Sequence, residues 1–336
     1  MVIANLAQLR DRIAGALYGL AVGDALGSIT EGMNPSDIAA KYGMITGFQS
    51  GEQMASDDTE FTIFYIELLR KYGLGITAET IADRWLKDIY HPSEIYKGAG
   101  FSEAMTLRNL KRGIRPPFSG QHVHSWSDGL AMCATPFGCI FAGQPEKAAR
   151  IASVFGSVSH SGEGLYGGQA VAAAVSVAVA GADLNTINNT ALAHVPEDSW
   201  VHYSIAAAVE IGKSSPNVQA AVASLYEKLV CDYYYWSDLA PEAVGLAFGL
   251  LTAAGGDFRK AVLGAVNLGR DADTIAAITG AISGAKIGLK FLPPELLPNV
   301  ETIPGRCIRA MAGKKISDAV EVLGDLAEKG MSAHGN

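Results

Sequence analysis

Apolar positions along the chain recur mostly at three- and four-residue intervals, the spacing of helices with one buried face. Such stretches cover 61–72, 77–89, 145–155, 168–180, 201–211, 218–230, 243–253 and 317–329. Glycine adds a second pattern. Gly15, Gly19, Gly23 and Gly27 fall at every fourth position, and so do Gly280, Gly284 and Gly288. That interval lines each row along one helix face, where missing side chains let another backbone come close. Glycine inside a helix costs about 0.5–1 kcal/mol relative to alanine, so both rows predict close helix–helix contact. No run alternates apolar and polar residues with β-branched enrichment, and no strand–helix–strand rhythm appears. Irregular segments are expected at 111–127 and 292–305, which are rich in proline and glycine. With no linker and no fixed repeat, the pattern predicts one all-α domain over 1–336, its core at about 10–330.

Composition narrows the function classes. Of 336 residues, 49% are hydrophobic and 18% charged, which excludes bulk disorder. The chain carries 26 Lys+Arg against 34 Asp+Glu, a net charge of −8, with no basic run to meet a phosphate backbone. Nucleic acid is therefore not an expected partner. Cys133, Cys139, Cys231 and Cys307 form no C-x-x-C pair and are too few for a disulfide framework, so buried thiols are expected. The apolar stretch 13–23 follows Arg10 and Arg12 but leads to Asp24 without a small-residue cleavage pattern, and reads as a packed helix. The apolar run 170–182 is too short to cross a bilayer. A cytoplasmic protein with no membrane partner is expected, and nothing in the chain specifies its oligomeric state.

Two acidic clusters carry the candidate chemistry. Ser56-Asp57-Asp58-Thr59-Glu60 precedes the helical run at 61, and Asp271-Ala272-Asp273-Thr274 opens another. Read alone, each is a helix start: a Ser or Asp cap with acids in the first turn. Read together, each offers three oxygens, a set of hard ligands suited to Mg²⁺ or Mn²⁺ rather than zinc. Ile275 and Ala276 stand where a Ca²⁺ loop would need later ligands. Like charges about 4 Å apart repel by on the order of 4 kcal/mol at an effective dielectric near 20. A helix cap returns only about 1 kcal/mol, so convergence of these acids requires cations or protons.

A third element sits upstream: Gly23-Asp24-Ala25-Leu26-Gly27, with Glu31 four residues beyond. In this order the three motifs resemble the ADP-ribosylglycohydrolases, which include the dinitrogenase reductase-activating glycohydrolases; the resemblance runs from about residue 10 to 292. It implies a compact orthogonal multi-helix fold holding two Mg²⁺, with Mn²⁺ as a possible substitute. The metal ligands would be Ser56, Asp57, Asp58, Asp271, Asp273 and Thr274. Catalysis would fall to Glu31, Asp58 and Asp273, with Glu31 on a movable loop acting on water or the leaving group. A glycosidic transition state has oxocarbenium character and gains from carboxylates and a positioned water, which paired metals can orient.

The same resemblance assigns the substrate-binding residues. Ser125-Trp126-Ser127-Asp128-Gly129, followed by Ala131-Met132, is similar to the family's G-S-[aromatic]-G-[ND]-G…A-M segment. It implies a serine and backbone amides facing a diphosphate, and an aromatic ring on adenine. This chain departs with His124 and Ser127 for glycines, Asp128 for a common Asn and Cys133 for a common Arg. An added carboxylate and a lost cation both work against a diphosphate. His160, Tyr166 and Gly167 match a His and Gly-rich turn leading to a phosphate-facing helix start, with a buried structural histidine as the alternative. Gly162, Gly164 and Gly167 also spell G-x-G-x-x-G, but no strand precedes them as a dinucleotide site requires. Tyr233-Tyr234-Tyr235-Trp236 reads as core, with a base-stacking wall as the alternative, and His122 and His124 as loop residues. The expected function is a Mg-dependent hydrolase cleaving the C1″ N- or O-glycosidic bond of ADP-ribose on a modified protein or small molecule. The alternatives are a metal-dependent N-glycosidase acting on a nucleoside or small riboside without a diphosphate, and a non-catalytic ligand-binding or structural member of the fold.

Overall fold

The computed structural model describes residues 5–51, 53–89 and 100–332, with side chains to residue 330. Among these residues the backbone forms fifteen α-helices and no strand, apart from the isolated bridges Ser127–Leu239 and Thr302–Lys315. The all-α expectation holds. One contiguous cluster of buried side chains runs from Leu9 to Ala327, and all four cysteines are buried. No helix among the described residues is long and apolar enough to cross a membrane.

The first helix, Leu6–Gly27, starts where the Asn5 side chain accepts from the Ala7 amide. Its glycine row lies directly on the helix Ala272–Ile287. A Cβ on Gly15 would stand 2.2 Å from the Gly284 carbonyl oxygen, one on Gly19 2.2 Å from that of Gly280, and one on Gly23 2.1 Å from that of Ala276. No real side chain survives at such distances, so glycine alone permits this contact. The partners run in opposite order, which makes the two helices antiparallel. The C-terminal end of the first, with Asp24, therefore meets the N-terminal end of the second, with Asp271 and Asp273. Gly288 does not extend the second row: it follows the helix with φ 87° and faces the Asp11 carboxylate.

Helix boundaries shift where caps were not legible. The run expected from 61 begins at Asp57 (Asp57–Tyr72), and that expected from 168 begins at Glu163 (Glu163–Val179). The stretch expected over 77–89 is an α-helix, Ala78–Arg84, that widens into a π-helical turn at Trp85–Ile89. Leu184–Ala193 and Phe258–Leu268 were not expected, although Asp183 and Asp257 cap them by accepting from the Thr186 and Lys260 amides. The helix Phe101–Lys111 lacks a side-chain cap and was also missed, as were Pro35–Tyr42 and Thr135–Ile140.

Because the contact is backbone on backbone, it predicts strong sensitivity to one methyl group. Gly19→Ala should lower the unfolding free energy by about 3 kcal/mol, the upper range for overpacking. Gly47→Ala, where nothing lies within 4 Å, should change it by no more than about 0.5 kcal/mol. Urea unfolding of the two variants beside the parent chain checks both values.

Candidate functional site

Three helix ends converge on one cluster of carboxylates. Asp24, fully buried near the end of the first helix, accepts from the Ser56 amide at 2.8 Å and hydroxyl at 2.6 Å. It also accepts from the Thr59 amide at 3.1 Å and hydroxyl at 2.5 Å. Asp24 thus caps the helix Asp57–Tyr72 from outside. Ser56 makes no side-chain cap of its own, so the self-capping reading of this motif gives way. Asp58 is left with its carboxyl directed elsewhere: Oδ1 accepts from the Thr274 hydroxyl at 3.0 Å, and the buried Oδ2 has no hydrogen-bond partner.

Two carboxylate triads result. Asp24, Asp58 and Asp273 each present an oxygen within 4.8 Å of the others, and so do Glu31, Asp271 and Asp273. Asp273 belongs to both, so the two positions adjoin. Backbone bonds fix the second triad. The Gly32 amide donates to the Arg270 carbonyl at 2.7 Å, and the Arg270 amide to the Met33 carbonyl at 2.8 Å. Arg270 has φ 61° and is the one non-glycine residue in the left-handed region among the described residues. Its guanidinium donates from Nε to Glu242 at 2.6 Å, and Glu242, wholly buried, also accepts from the Cys231 amide. This buried ion pair holds the strained turn that sets Asp271 beside Glu31.

The triads form one side of a pocket of about 520 Å³. It is also lined by Glu103, Asp128, whose carboxyl meets that of Asp271, and Asp238, by the rings of Phe101 and Trp236, and by Arg306, the one lysine or arginine side chain lining it among the described residues. Glu60 accepts from the Arg306, Cys307 and Ile308 amides and so fixes the Arg306 strand of the wall. The segment 126–128 is tied to 238–240 by Asp128 N to Asp238 O and Ala240 N to Trp126 O, both 2.9 Å. A larger cavity of about 840 Å³ lies between the Pro35–Tyr42 and Phe258–Leu268 helices, far from these acids in composition, with mainly apolar walls such as Ile38, Val222 and Leu263.

Glu103 ends a directed hydrogen-bond chain. Ser127 Oγ donates to Ser102 Oγ at 2.8 Å, and Ser102 Oγ to Glu103 Oε2 at 2.7 Å. With its one proton given to Ser102, Ser127 can only accept from His160 Nε2, 3.0 Å away. His160 Nδ1 therefore accepts from the Ser159 hydroxyl at 2.8 Å. Burial holds the His160 pKa down to about 3, so the ring is neutral and its tautomer is set by the chain. Every proton in the series points toward Glu103.

The structure separates the residues singled out in the sequence into two groups. Glu31, Ser56, Asp57, Asp58, Asp271, Asp273 and Thr274 line the pocket, together with Ser127, Asp128 and Gly129. Ser125, Trp126, His160, Tyr166 and Gly167 do not. Ser125 accepts from the Ser161 hydroxyl, the Trp126 ring lies over Gly162, and His160 stands behind Ser127. Because the helix begins at Glu163, Tyr166 and Gly167 sit inside it, and Gly167 packs on Ala240 and Val244. The aromatic wall instead comes from Phe101 and Trp236. The core reading of 233–236 fails, since Tyr233 is 81% and Tyr235 89% exposed. His124 is more than a loop residue: it is buried, with Nε2 2.7 Å from Asp238 and Nδ1 2.9 Å from the Tyr234 hydroxyl. Sequence reasoning missed Asp24, Glu103, Asp238 and Arg306. Only Asp24 had a signal, as an acid among glycines and apolar residues in a buried helix.

Burial raises the pKa of Asp24, Asp57, Asp58, Asp128, Asp271 and Asp273; repulsion between carboxylates adds to it at all but Asp24, where hydrogen bonds from Ser56 and Thr59 oppose it. Glu31 shifts the same way: its surface is open, but protein atoms crowd the carboxyl and Asp24 repels its charge. The folded chain thus retains protons that the unfolded chain releases near pH 4, and this contribution to stability declines as pH rises through the folded-state values. His160 works in the opposite direction over this range, so the test compares variants: in chelator, the change in unfolding temperature from pH 5.5 to pH 8 should be less negative in Asp58→Asn than in the parent, and an equal change contradicts the assignment. Arg270→Ala, which strands the buried Glu242 charge, should cost about 3–5 kcal/mol, measured by urea unfolding, with Arg270→Lys recovering part of it.

Comparison with known proteins agrees with this geometry. The family model described as ADP-ribosylglycohydrolase matches residues 5–328. An uncharacterized protein of Archaeoglobus fulgidus is 31% identical over 291 residues, covering 83% of this chain and 88% of its own. ADP-ribosylarginine hydrolase Tri1 of Pseudomonas putida is 26% identical over 302 residues, covering 87% of this chain and 75% of its own. A solved structure described as an ADP-ribosylglycohydrolase-related protein complex shares the fold, with a TM-score of 0.67 at 23% identity over 97% of this chain and 100% of that one. With the three motifs gathered at one end of an antiparallel helix pair and the family model spanning nearly the whole chain, the protein belongs to the ADP-ribosylglycohydrolase family.

Proposed function

We propose that the pocket is a divalent-metal-assisted hydrolase site that cleaves the C1″ N- or O-glycosidic bond of a ribosyl substrate. The observation that carries this reading is the pair of carboxylate triads sharing Asp273 at the wall of a pocket. The donor set fits the metal: its atoms are all oxygen, and Asp58 Oδ2 is buried without a partner. Asp24, Asp58 and Asp273 would hold one cation and Glu31, Asp271 and Asp273 a second, with Ser56, Asp57 and Thr274 as further oxygens. Hard ligands of this kind select Mg²⁺, with Mn²⁺ as a substitute. When bound, the metals supply Lewis acidity to the ribose hydroxyls and a water of lowered pKa.

The chain's own residues supply the rest. Their negative charge stabilises the oxocarbenium character that develops at C1″. Glu31, the triad member open to solvent, takes the proton of the attacking water as the C1″–oxygen bond forms. The bond to the leaving group breaks, its electron pair departs with that group, and the proton taken up by Glu31 passes to it where the group is not already cationic. A structural or binding-only role gives no account of a buried, unpartnered carboxylate oxygen within a triad.

Two substrate classes follow. The family, with the relative named an ADP-ribosylarginine hydrolase, points to ADP-ribose-bearing proteins or small molecules. The pocket's charge favours a nucleoside or small riboside without a diphosphate, since Glu103, Asp128 and Asp238 line it with the triads and Arg306 is the one lining guanidinium or ammonium among the described residues. The first experiment is metal uptake. Mg²⁺ should raise the unfolding temperature at pH 7.5, with a calorimetric binding isotherm. Asp273→Asn should be at least as stable as the parent in chelator, because one buried charge is gone. It should gain nothing from Mg²⁺ and lose at least about 100-fold in turnover. A parent protein that takes up neither Mg²⁺ nor Mn²⁺ overturns the proposal.

A further inference from the structure

We propose that the wall beside the triads, with Asp128, Asp238, Phe101 and Trp236, selects a riboside whose leaving group is a planar cation, such as a pyridinium or an N-alkylated purine. This rests on the ribosidase reading above and adds the charge of the leaving group to it. Asp128 and Asp238 lie outside both triads, although the Asp128 carboxyl meets that of Asp271, so they add two acids beyond those assigned to the cations. Asp128 is 3% exposed and lines the pocket, yet its Oδ2 has no hydrogen-bond partner. Asp238 gives one oxygen to His124 at 2.7 Å, while its other oxygen, Oδ1, is buried and unpartnered. Glu103 completes the set, with Oε1 so near Gly129 that a Cβ there would stand 2.3 Å away.

The same wall carries two stacked rings. Phe101 and Trp236 lie with centroids 5.3 Å apart at 28°, and both line the pocket. A flat cation placed on such a face gains from the ring quadrupole as well as from the carboxylates. A diphosphate in this space would meet three carboxylates, with Arg306 as the one guanidinium or ammonium on the lining among the described residues. A buried acceptor such as Asp128 Oδ2 needs a donor or a positive charge: a neutral base can meet it only through a single N–H, whereas a cationic ring also offsets the charge of the neighbouring carboxylates.

The chemistry is consistent with a cationic leaving group. When the C1″–N bond breaks, its electron pair neutralises the ring nitrogen, so the base departs uncharged and needs no proton donor. Water's oxygen bonds to C1″ and its proton passes to a carboxylate. One water and one cationic riboside yield ribose, a neutral base and a proton.

Nicotinamide riboside and its uncharged dihydro form share one skeleton and differ in ring charge, so they are the probes, with ADP-ribose beside them. Binding is followed by tryptophan fluorescence and hydrolysis by chromatography, at saturating Mg²⁺ so that the probe cannot occupy the triads. The charged riboside should bind at least about tenfold more tightly than the uncharged one. Asp128→Asn should reduce that ratio toward one, and Asp238→Asn does the same should the first variant not fold. Equal affinity for the two ribosides, or tighter binding of ADP-ribose, overturns the charge assignment and leaves the ribosidase reading in place. Hydrolysis of neither riboside by protein that has taken up Mg²⁺ overturns the charge assignment, and failure to hydrolyse an ADP-ribosylated arginine as well overturns the ribosidase reading.

Discussion

The contact on which the structure depends is the one between two backbones without side chains. Gly15, Gly19 and Gly23 let the first helix touch Ala272–Ile287 at distances no Cβ tolerates. Everything at the site follows from the direction of that pair. Because the helices are antiparallel, the end of one delivers Asp24 to the start of the other, where Asp271 and Asp273 stand. Asp24 then caps a third helix and orients Asp58. Dispersion and close packing at the glycine rows thus hold together carboxylates that would otherwise repel one another.

Around this frame, buried charge is handled by fixed partners. Glu60 takes three backbone amides, and Glu242 takes an amide and a guanidinium. Each is an acid used to shape a loop, and neither faces the pocket. Burial raises the pKa of these acids and of those in the pocket, but at Glu60 and Glu242 these donors oppose the rise, whereas at Asp57, Asp58 and Asp273 neighbouring carboxylates add to it. Glu103 lies between these cases: one oxygen ends the chain from His160, and the other remains in the pocket.

Much of this was legible in the sequence, because the decisive features are local. Glycine spacing gave the helix pair, and the three acidic motifs gave the residues of both triads apart from Asp24, quoted in its motif but with no role assigned. What escaped was whatever depends on which segment lies across from which. Glu103 sits in an ordinary first helical turn, and nothing near it in sequence signals His160. Trp126 occupies the motif position for a stacking ring, but Trp236 stands in the pocket because the 126–128 and 238–240 segments pair. Tyr166 and Gly167 read as a turn because the helix start at Glu163 has no capping side chain, and its N-cap is Gly162 with φ 52°.

The antiparallel glycine contact also sets which lengths of chain can vary. A residue inserted between Gly15 and Asp24, or between Asp273 and Gly284, would rotate everything beyond it by about 100°. It would turn an acid out of the cluster while the helix itself stayed intact. The connection from Gly27 to Asp271 feels no such constraint from this pair. The pocket-lining segments 100–103, 127–129 and 236–238 lie within that connection and can lengthen or change without disturbing the register that gathers Asp24, Asp271 and Asp273. The fold thereby separates the part of the chain that fixes the acids from the part that decides what they act on.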